Sequence, residues 1–318
     1  MKTGPVDDNG GEDEAEHIRA RVAWYYYVGG LTQQDIANRL GITRLRVNKI
    51  VGQLRHDGSV RVDIRLPLAR CVALEEKLKA RYGLVDARVV PSLDDDAAQQ
   101  VAVGEAAGAM LDQLMIDGQG LGVGWGRTLS AALKRMTPRR HARSWVATLM
   151  GGLTRGSGIN TFEVSTGFAK ALGSECYYLA APIYFPTPES RSLLSSHYGI
   201  AEALRRARLA DVALVSCGDL STRSLLVSTQ IVTEQLDGLK AAGAVGDVLG
   251  VFLDERGQPV DHVLNQRVMA LSPTELKAIP HSILASGGIY KTRIIRAILS
   301  AGYVKCLVTD ENCAEAVL

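Results

Sequence analysis

LTQQDIANRLGITRLRVNKIVGQLRHDGSVRV, residues 31–62, decides how the N-terminal part of this chain folds. Thr32 is placed to cap a helix, and Asp35, three residues on, supplies the carboxylate of a capping-box-like start. Ile36, Ala37 and Leu40 follow at helical spacing, and Gly41 stands where a helix ending in a left-handed residue needs no Cβ. Ile42 can fill the gap before Thr43 caps a second helix, whose Val47, Ile50, Val51 and Leu54 form one inward stripe. The outward face carries Arg44, Arg46, Asn48 and Lys49 in the leading half, the part of a recognition helix that meets base edges in the major groove. With Leu45 between them and the two capping threonines, Thr32 and Thr43, these are the candidate DNA-binding residues of a helix-turn-helix. A plain helical hairpin would share the short glycine turn, but nothing about it calls for two caps and a basic leading half.

Working outward, residues 14–28 are expected to add a third helix, with Ile18, Val22 and Tyr25 or Tyr26 at core spacing. Downstream, Gly58 is expected to end the recognition helix, and Val60–Leu66 alternates like the strand of a small wing. Charge divides the chain in the same way. The total is only +2, yet residues 14–70 hold ten Lys and Arg against five Asp and Glu, whereas residues 71–318 hold 25 of each. A small basic head on a neutral body fits a DNA reader better than a protein that coats nucleic acid along its length. Residues 1–13, acidic and poor in apolar side chains, are expected to be a disordered tail.

The 318 residues, 47% of them hydrophobic, suffice for two domains. No apolar run is long enough to span a membrane and the acidic N-terminus is unlike a secretory signal, so a cytoplasmic protein without a membrane partner is expected. The five cysteines (Cys71, Cys176, Cys217, Cys306, Cys313) form no CxxC pair and read as buried thiols. The six histidines have no ligand spacing, so neither a metal nor a cofactor is expected.

Pro67 ends the wing, and residues 67–83 read as a linker helix with Leu74, Leu78 and Tyr82 on one face. Its charged remainder suits either a neighbouring subunit or solvent. From residue 84 to 318, short apolar runs alternate with helical stretches. The runs are 84–90, 119–124, 145–150, 176–181, 211–216, 247–254, 281–286 and 304–309. Helices are expected over 97–115, 128–135, 161–172, 193–207 and 291–300. This pattern predicts a doubly wound, mostly parallel α/β domain, in which ligands sit beyond the carboxyl ends of the strands. Four glycine-rich strand ends are therefore candidate ligand loops. In GVGWGRT, residues 122–128, the amides of Gly124, Trp125 and Gly126, the Arg127 guanidinium and the Thr128 hydroxyl would suit a phosphate, although a tight turn with no ligand has the same composition. MGGLTRGSGIN, residues 150–160, brings Gly151, Gly152, Arg155 and Asn160. CGDL, residues 217–220, brings Asp219, and SGGIYKT, residues 286–292, brings Lys291.

These segments together, LTQQDIANRLGITRLRVNKI, GVGWGRTL, LMGG, LAAP, GAVGDVLGVFLDERG and the final SGGIYKTRIIRAILSAGYVKCLVTDENCA, make the chain resemble the SorC family of sugar-responsive bacterial transcription regulators over nearly its whole length. The resemblance implies an N-terminal winged helix-turn-helix joined to an effector domain similar to sugar-phosphate isomerases of the glucosamine-phosphate deaminase and ribose-phosphate isomerase type. It also implies that Thr128 and its glycines hold the effector's phosphate, and that Asn160, Asp247 and Lys291 surround the sugar phosphate. Met150 departs from the pattern: some members carry a basic residue there, which leaves Arg127 or Arg155 to meet the phosphate. The expected partners are operator DNA, a phosphorylated sugar or polyol, and a second copy of the chain in a dimer or tetramer. An active isomerase or deaminase would need a placed general base. Asp247 and Asp219 are carboxylates without a recognisable proton-transfer pattern, so sensing rather than catalysis is expected; an unphosphorylated polyol remains the other effector.

Overall fold

The computed structural model describes residues 10–57, 59–60, 68–153 and 159–318, and the chain divides into two units, Met1–Leu66 and Pro67–Leu318. In the first, α1 (Gly10–Ala23) runs into a π-helical turn (Trp24–Val28), and α2 (Gln33–Leu40) and α3 (Arg44–His56) come next. Both caps form as the sequence predicts. The Thr32 hydroxyl accepts from the Asp35 amide within a capping box, Gly41 is left-handed at φ 65°, and the Thr43 hydroxyl accepts from the Arg46 amide. Val22, Ile36, Ala37, Val47, Ile50, Val51 and Leu54 close one core, with Ile42 packed against it.

The third helix differs from expectation at both ends. It starts at Gly10, inside the tail expected over 1–13, and it widens into the π turn at Trp24. Tyr25, Tyr26 and Tyr27 all pack on the core cluster, and regular α-helical spacing would spread three consecutive side chains too far around the axis. The helix α3 ends at His56 with Asp57 as its cap. Residues 1–9, Gly58 and all but Val60 of the expected wing strand lie outside the described residues.

The second unit is built on a parallel sheet of seven strands: β1 (Asp86–Val90), β2 (Gly120–Val123), β3 (Trp145–Thr148), β4 (Glu175–Tyr177), β5 (Val212–Val215), β9 (His281–Ala285) and β10 (Cys306–Asp310). Across the sheet their order is β1-β10-β9-β5-β2-β3-β4. A second sheet of three antiparallel strands holds β6 (Cys217–Asp219), β7 (Gly246–Val248) and β8 (Val251–Leu253). Helices cover both faces of the large sheet. On one face, α5 (Asp96–Leu114), α6 (Arg127–Ala132) and α7 (Thr161–Leu172) bury Val103, Leu111, Leu129 and Phe168 against Leu121, Val123 and Leu214. On the other, α4 (Ala69–Tyr82), α8 (Pro188–Ser195) and α9 (Tyr198–Arg208), the short helices α10 (Gln230–Thr233), α11 (Leu236–Ala241), α12 (Val263–Arg267) and α13 (Pro273–Ala278), and then α14 (Thr292–Ala301) and α15 (Glu311–Val317) share a core with Ala213, Val215 and Leu284. Successive residues of one strand, Leu214 and Val215, thus feed different layers.

Four expected elements come out differently. The linker helix α4 packs within this unit: Cys71, Leu74 and Leu78 are buried in the common core, Glu75 accepts from the Val89 amide at 2.9 Å, and Arg70 pairs with Glu311 and Glu315. The run 247–254 is a hairpin rather than one strand of the parallel sheet, because Leu249 (φ 53°) and Gly250 (φ 79°) are consecutively left-handed, the signature of a two-residue hairpin turn. The helix expected over 193–207 is broken into α8 and α9, where the Ser195 and Ser196 hydroxyls turn back onto the carbonyls of Ser192 and Leu193. Lys291 precedes its helix, closing a 3-10 turn (Ile289–Lys291) before α14 begins at Thr292.

Two glycines of α5 fix the position of α6 after β2. A Cβ on Gly104 would stand 2.3 Å from the Thr128 carbonyl oxygen, and one on Gly108 would stand 2.1 Å from that of Ala132. The backbones of α5 and α6 therefore touch, and α6 is held over the sheet by contact with an element that no side chain separates from it. Among the described residues no helix is long and apolar enough to cross a membrane.

Candidate functional sites: a basic helix face and a strand-end cleft

In the first unit, the stripe Val47, Ile50, Val51 and Leu54 turns α3 so that Arg44, Leu45, Arg46, Asn48 and Lys49 are all exposed. Leu45 stands out at 78% exposure, too much for a core residue and suited to apolar contact with a thymine methyl. Asn48 has one side-chain partner here: Gln33 at the start of α2 donates to its side-chain oxygen at 3.3 Å. The two capping threonines are occupied, holding the Asp35 and Arg46 amides. Behind the helix, Arg55 donates to the Tyr27 hydroxyl at 2.8 Å, and Arg39 lies over the Tyr25 ring.

In the second unit, strand order locates the site. From β2 the chain runs outward through β3 and β4, then returns to β5 on the other side of β2. The segments leaving β2 and β5 diverge to opposite faces, Leu129 of α6 into one core layer and Leu226 and Val232 into the other. Their divergence opens a crevice at the carboxyl ends of these neighbours, where open α/β sheets bind ligands. Trp125, Gly126, Arg127 and Thr128 line this cleft from β2, Ser216, Cys217 and Gly218 from β5, and Asp247 and Lys291 from the hairpin and the β9 end. Gly126, at φ 115°, caps α6, and its amide donates to the Ile159 carbonyl. Thr128 in the first turn is 4% exposed, while Arg127 beside it is open to solvent.

Asp247 forms the buried acid of this cleft. One oxygen accepts from the Gly250 amide at 3.0 Å, and the other lies so near Gly218 that a Cβ there would come within 2.5 Å. Burial pushes its carboxyl up to about 7, against the pull of the Gly250 amide and of Lys291, with Asp219 pushing the same way as burial. Burial likewise raises the Cys217 thiol to about 11, so it is protonated and unreactive near neutrality. A carboxyl whose folded value lies above its usual 3.8 keeps a proton that the unfolded chain has released, so stability from this group is present below that value and is lost as pH rises toward about 7. Asp247→Asn, which cannot ionise, should therefore gain melting temperature over the parent, with the gain widening from about pH 5 to about pH 8. A gap constant across that range would remove Asp247 as the titrating group.

The remaining residues predicted from sequence are placed elsewhere. Gly124 sits behind the cleft, its amide given to the Leu214 carbonyl. Gly151 and Gly152 pack edge-on against the 181–182 backbone and Phe162, with their amides given to Met269 and Ala181. Asn160 is 2% exposed, accepting from the Leu153 and Thr161 amides and donating to the Leu153 carbonyl. It caps α7 and binds the Leu153 backbone rather than lining the cleft. Arg155 lies outside the described residues. Asp219 lines an adjoining open groove with Lys240 and Arg293, one oxygen accepting from the Ser221 amide at 3.2 Å. Conversely, the cleft gains Gln100, Arg223, Ser224 and Tyr290, which sequence reading passes over. Tyr290 lies inside one glycine-rich strand end and Arg223 only a few residues past another, so loop position was the available signal; Gln100, on the helix α5, carries none.

The model of the "Putative sugar-binding domain" family matches residues 67–318. The erythritol catabolism regulatory protein EryD of Brucella abortus is 30% identical over 310 residues, 96% of this chain and 98% of that protein. The transcriptional regulator LsrR of Klebsiella pneumoniae is 32% identical, covering 95% of this chain and 93% of its own. Among solved structures, the full-length sorbitol operon regulator SorC of Klebsiella pneumoniae superposes with a TM-score of 0.74 at 26% identity, covering 95% of this chain and 98% of that one. With its domain matched by the family model and its whole length aligned to such relatives, this chain belongs to the SorC family of transcriptional regulators with a sugar-binding domain.

Proposed function

We propose that the protein is a DNA-binding transcription regulator whose affinity for an operator is set by a phosphorylated sugar or polyol held in the β2/β5 cleft. The observation that carries this reading is the convergence of Arg127, Lys291 and Arg223 with a buried threonine and a buried acid in one strand-end crevice. The cations and the Thr128 hydroxyl suit a phosphate, and Asp247 suits the hydroxyls of a polyol chain. Gly126, Arg127, Thr128, Asp247 and Lys291 are the effector residues in this reading, while Asn160 caps α7. Relatives named for erythritol catabolism and the sorbitol operon favour a polyol skeleton.

The first unit presents a single recognition helix, and one such module rarely supplies enough specificity, so the chain acts as a dimer or tetramer on paired half-sites. Effector binding shifts this assembly only if its affinity differs between the arrangements that do and do not match the operator. A thermal-shift screen of polyols and sugars, each with and without phosphate, tests the reading. A phosphorylated member should raise the melting temperature by mass action at concentrations where its unphosphorylated parent does not. Equal effects from erythritol and its phosphate would instead favour a sensor of free polyol. Asp247, with its carboxyl raised to about 7, also favours a second reading as a general base. Incubating the same panel with the protein and monitoring the sugars by NMR separates the two, since a regulator leaves its effector unchanged.

A further inference from the structure

We propose that Arg223 is an anion clamp whose resting partner is Asp96, so that this carboxylate and an anionic effector compete for one guanidinium. The inference rests on the cleft reading above and adds to it a residue pair that sets effector affinity. Arg223 leaves the segment after β6, and the neighbouring Ser224 anchors that segment in the cleft, its hydroxyl standing where a Cβ on Gly218 would meet it at 2.7 Å. Among the described residues the guanidinium has one ion-pair partner and one aromatic partner. Its Nη1 lies 3.2 Å from an Asp96 carboxylate oxygen and its centre 4.9 Å from the centroid of the Tyr290 ring. Lys291 lies over the same ring, Nζ 5.8 Å from the centroid, so two cations flank one aromatic platform at the cleft.

The Asp96 pair is weak by construction. Both side chains are more than half exposed, at 60% and 57%, and a surface ion pair of that kind shifts an equilibrium by about fivefold or less. A phosphate in the cleft offers more: a second negative charge, the fork geometry that a guanidinium matches with two parallel bonds, and Arg127 and Lys291 as further partners. Stacking on Tyr290 survives the exchange because it uses the face of the guanidinium, not its edge. A lysine keeps the charge but, with no planar fork, loses the two parallel bonds and the flat stacking.

The test uses the full chain and inorganic phosphate as the probe, at ionic strength held constant with chloride, reading the phosphate concentration that gives half the maximal thermal stabilisation. Asp96→Asn should lower that midpoint by about two- to fivefold, by removing the competitor. Arg223→Ala should raise it by about tenfold or more, with Arg223→Lys close behind, and Asp96→Asn should add nothing in the Arg223→Ala background. Midpoints for Asp96→Asn and Arg223→Ala both within about twofold of the parent, while Lys291→Ala shifts its own, would overturn the clamp and leave the cleft reading standing. Absence of any stabilisation by phosphate over chloride, or an unchanged midpoint in Lys291→Ala as well, would overturn the cleft reading and the clamp with it.

Discussion

Lys291→Ala and Thr128→Val should each bind operator DNA as the parent does and fail to respond at effector concentrations that act on the parent. Lys291 supplies a charge-assisted contact and Thr128 a directional hydroxyl at the mouth of α6. Loss of a hydrogen bond to a charged group costs about 1.5–3 kcal/mol, so effector affinity should fall by roughly 10- to 100-fold. Neither change should unfold the chain: Val fills the space of Thr, and Lys291 lies half-buried on a 3-10 turn rather than inside a strand. The lysine variant has a second consequence. Lys291 holds the raised Asp247 carboxyl down, so its removal should move the stability change associated with Asp247 to higher pH. Titrating effector into each variant on operator DNA decides the matter. Release at parental effector concentrations in both variants would place the ligand elsewhere.

Arg44→Ala combined with Arg46→Ala should abolish operator preference while leaving effector-induced thermal stabilisation intact. Both arginines lie exposed in the first turn of α3, whose N-terminal half reads base edges in this motif. A bidentate arginine–guanine pair discriminates by about 1–3 kcal/mol, so losing two should cost on the order of 100-fold or more in the ratio of specific to nonspecific binding. A purely phosphate-contacting role predicts a different result, an even loss across sequences and a shallower salt dependence. Gln33→Ala gives a finer check, since the hydrogen bond from Gln33 orients the Asn48 amide. Competition binding against operator and scrambled duplexes at several salt concentrations separates these outcomes. Unchanged selectivity in the double variant would remove α3 as the reading element.

Much of the DNA-binding unit was legible because its determinants are local. Thr32, Asp35, Gly41 and Thr43 act on amides and backbone angles within a few residues of themselves, so their effect does not depend on what the chain packs against. The α/β class was legible for a related reason: a strand buried on both faces is a short apolar run, and the helices between them repeat at their own period. Where several apolar residues met a demand from elsewhere, local reading failed. The run 247–254 is apolar enough for a buried strand, yet Leu249 takes a left-handed conformation that costs a non-glycine residue about 1–2 kcal/mol. Only the surrounding structure compensates it, by burying Val248 and Val251 on either side of the turn.

The candidate cleft divides along the same line. Gly126, Arg127, Thr128 and Lys291 were named from strand ends and Asp247 from the family resemblance, and the tertiary structure brings them to one crevice. Asn160, Gly151 and Gly152 have the same composition and the same kind of position, but β3 lies one strand away from the β2/β5 divergence, the Asn160 amide is spent on Leu153 and Thr161, and the Gly151 and Gly152 amides go to the Met269 and Ala181 carbonyls. Arg223 and Gln100 could not be named at all, since what makes them cleft residues is the packing of distant segments around β2 and β5. By itself, then, the sequence determined the two-part organisation, the helix caps and the turn glycines, because each is set by chemistry within a few residues. Which strand ends share a ligand was decided only by tertiary structure, because strand order, and with it the single point where neighbouring connections part to opposite faces, is a property of long-range pairing that no local pattern encodes.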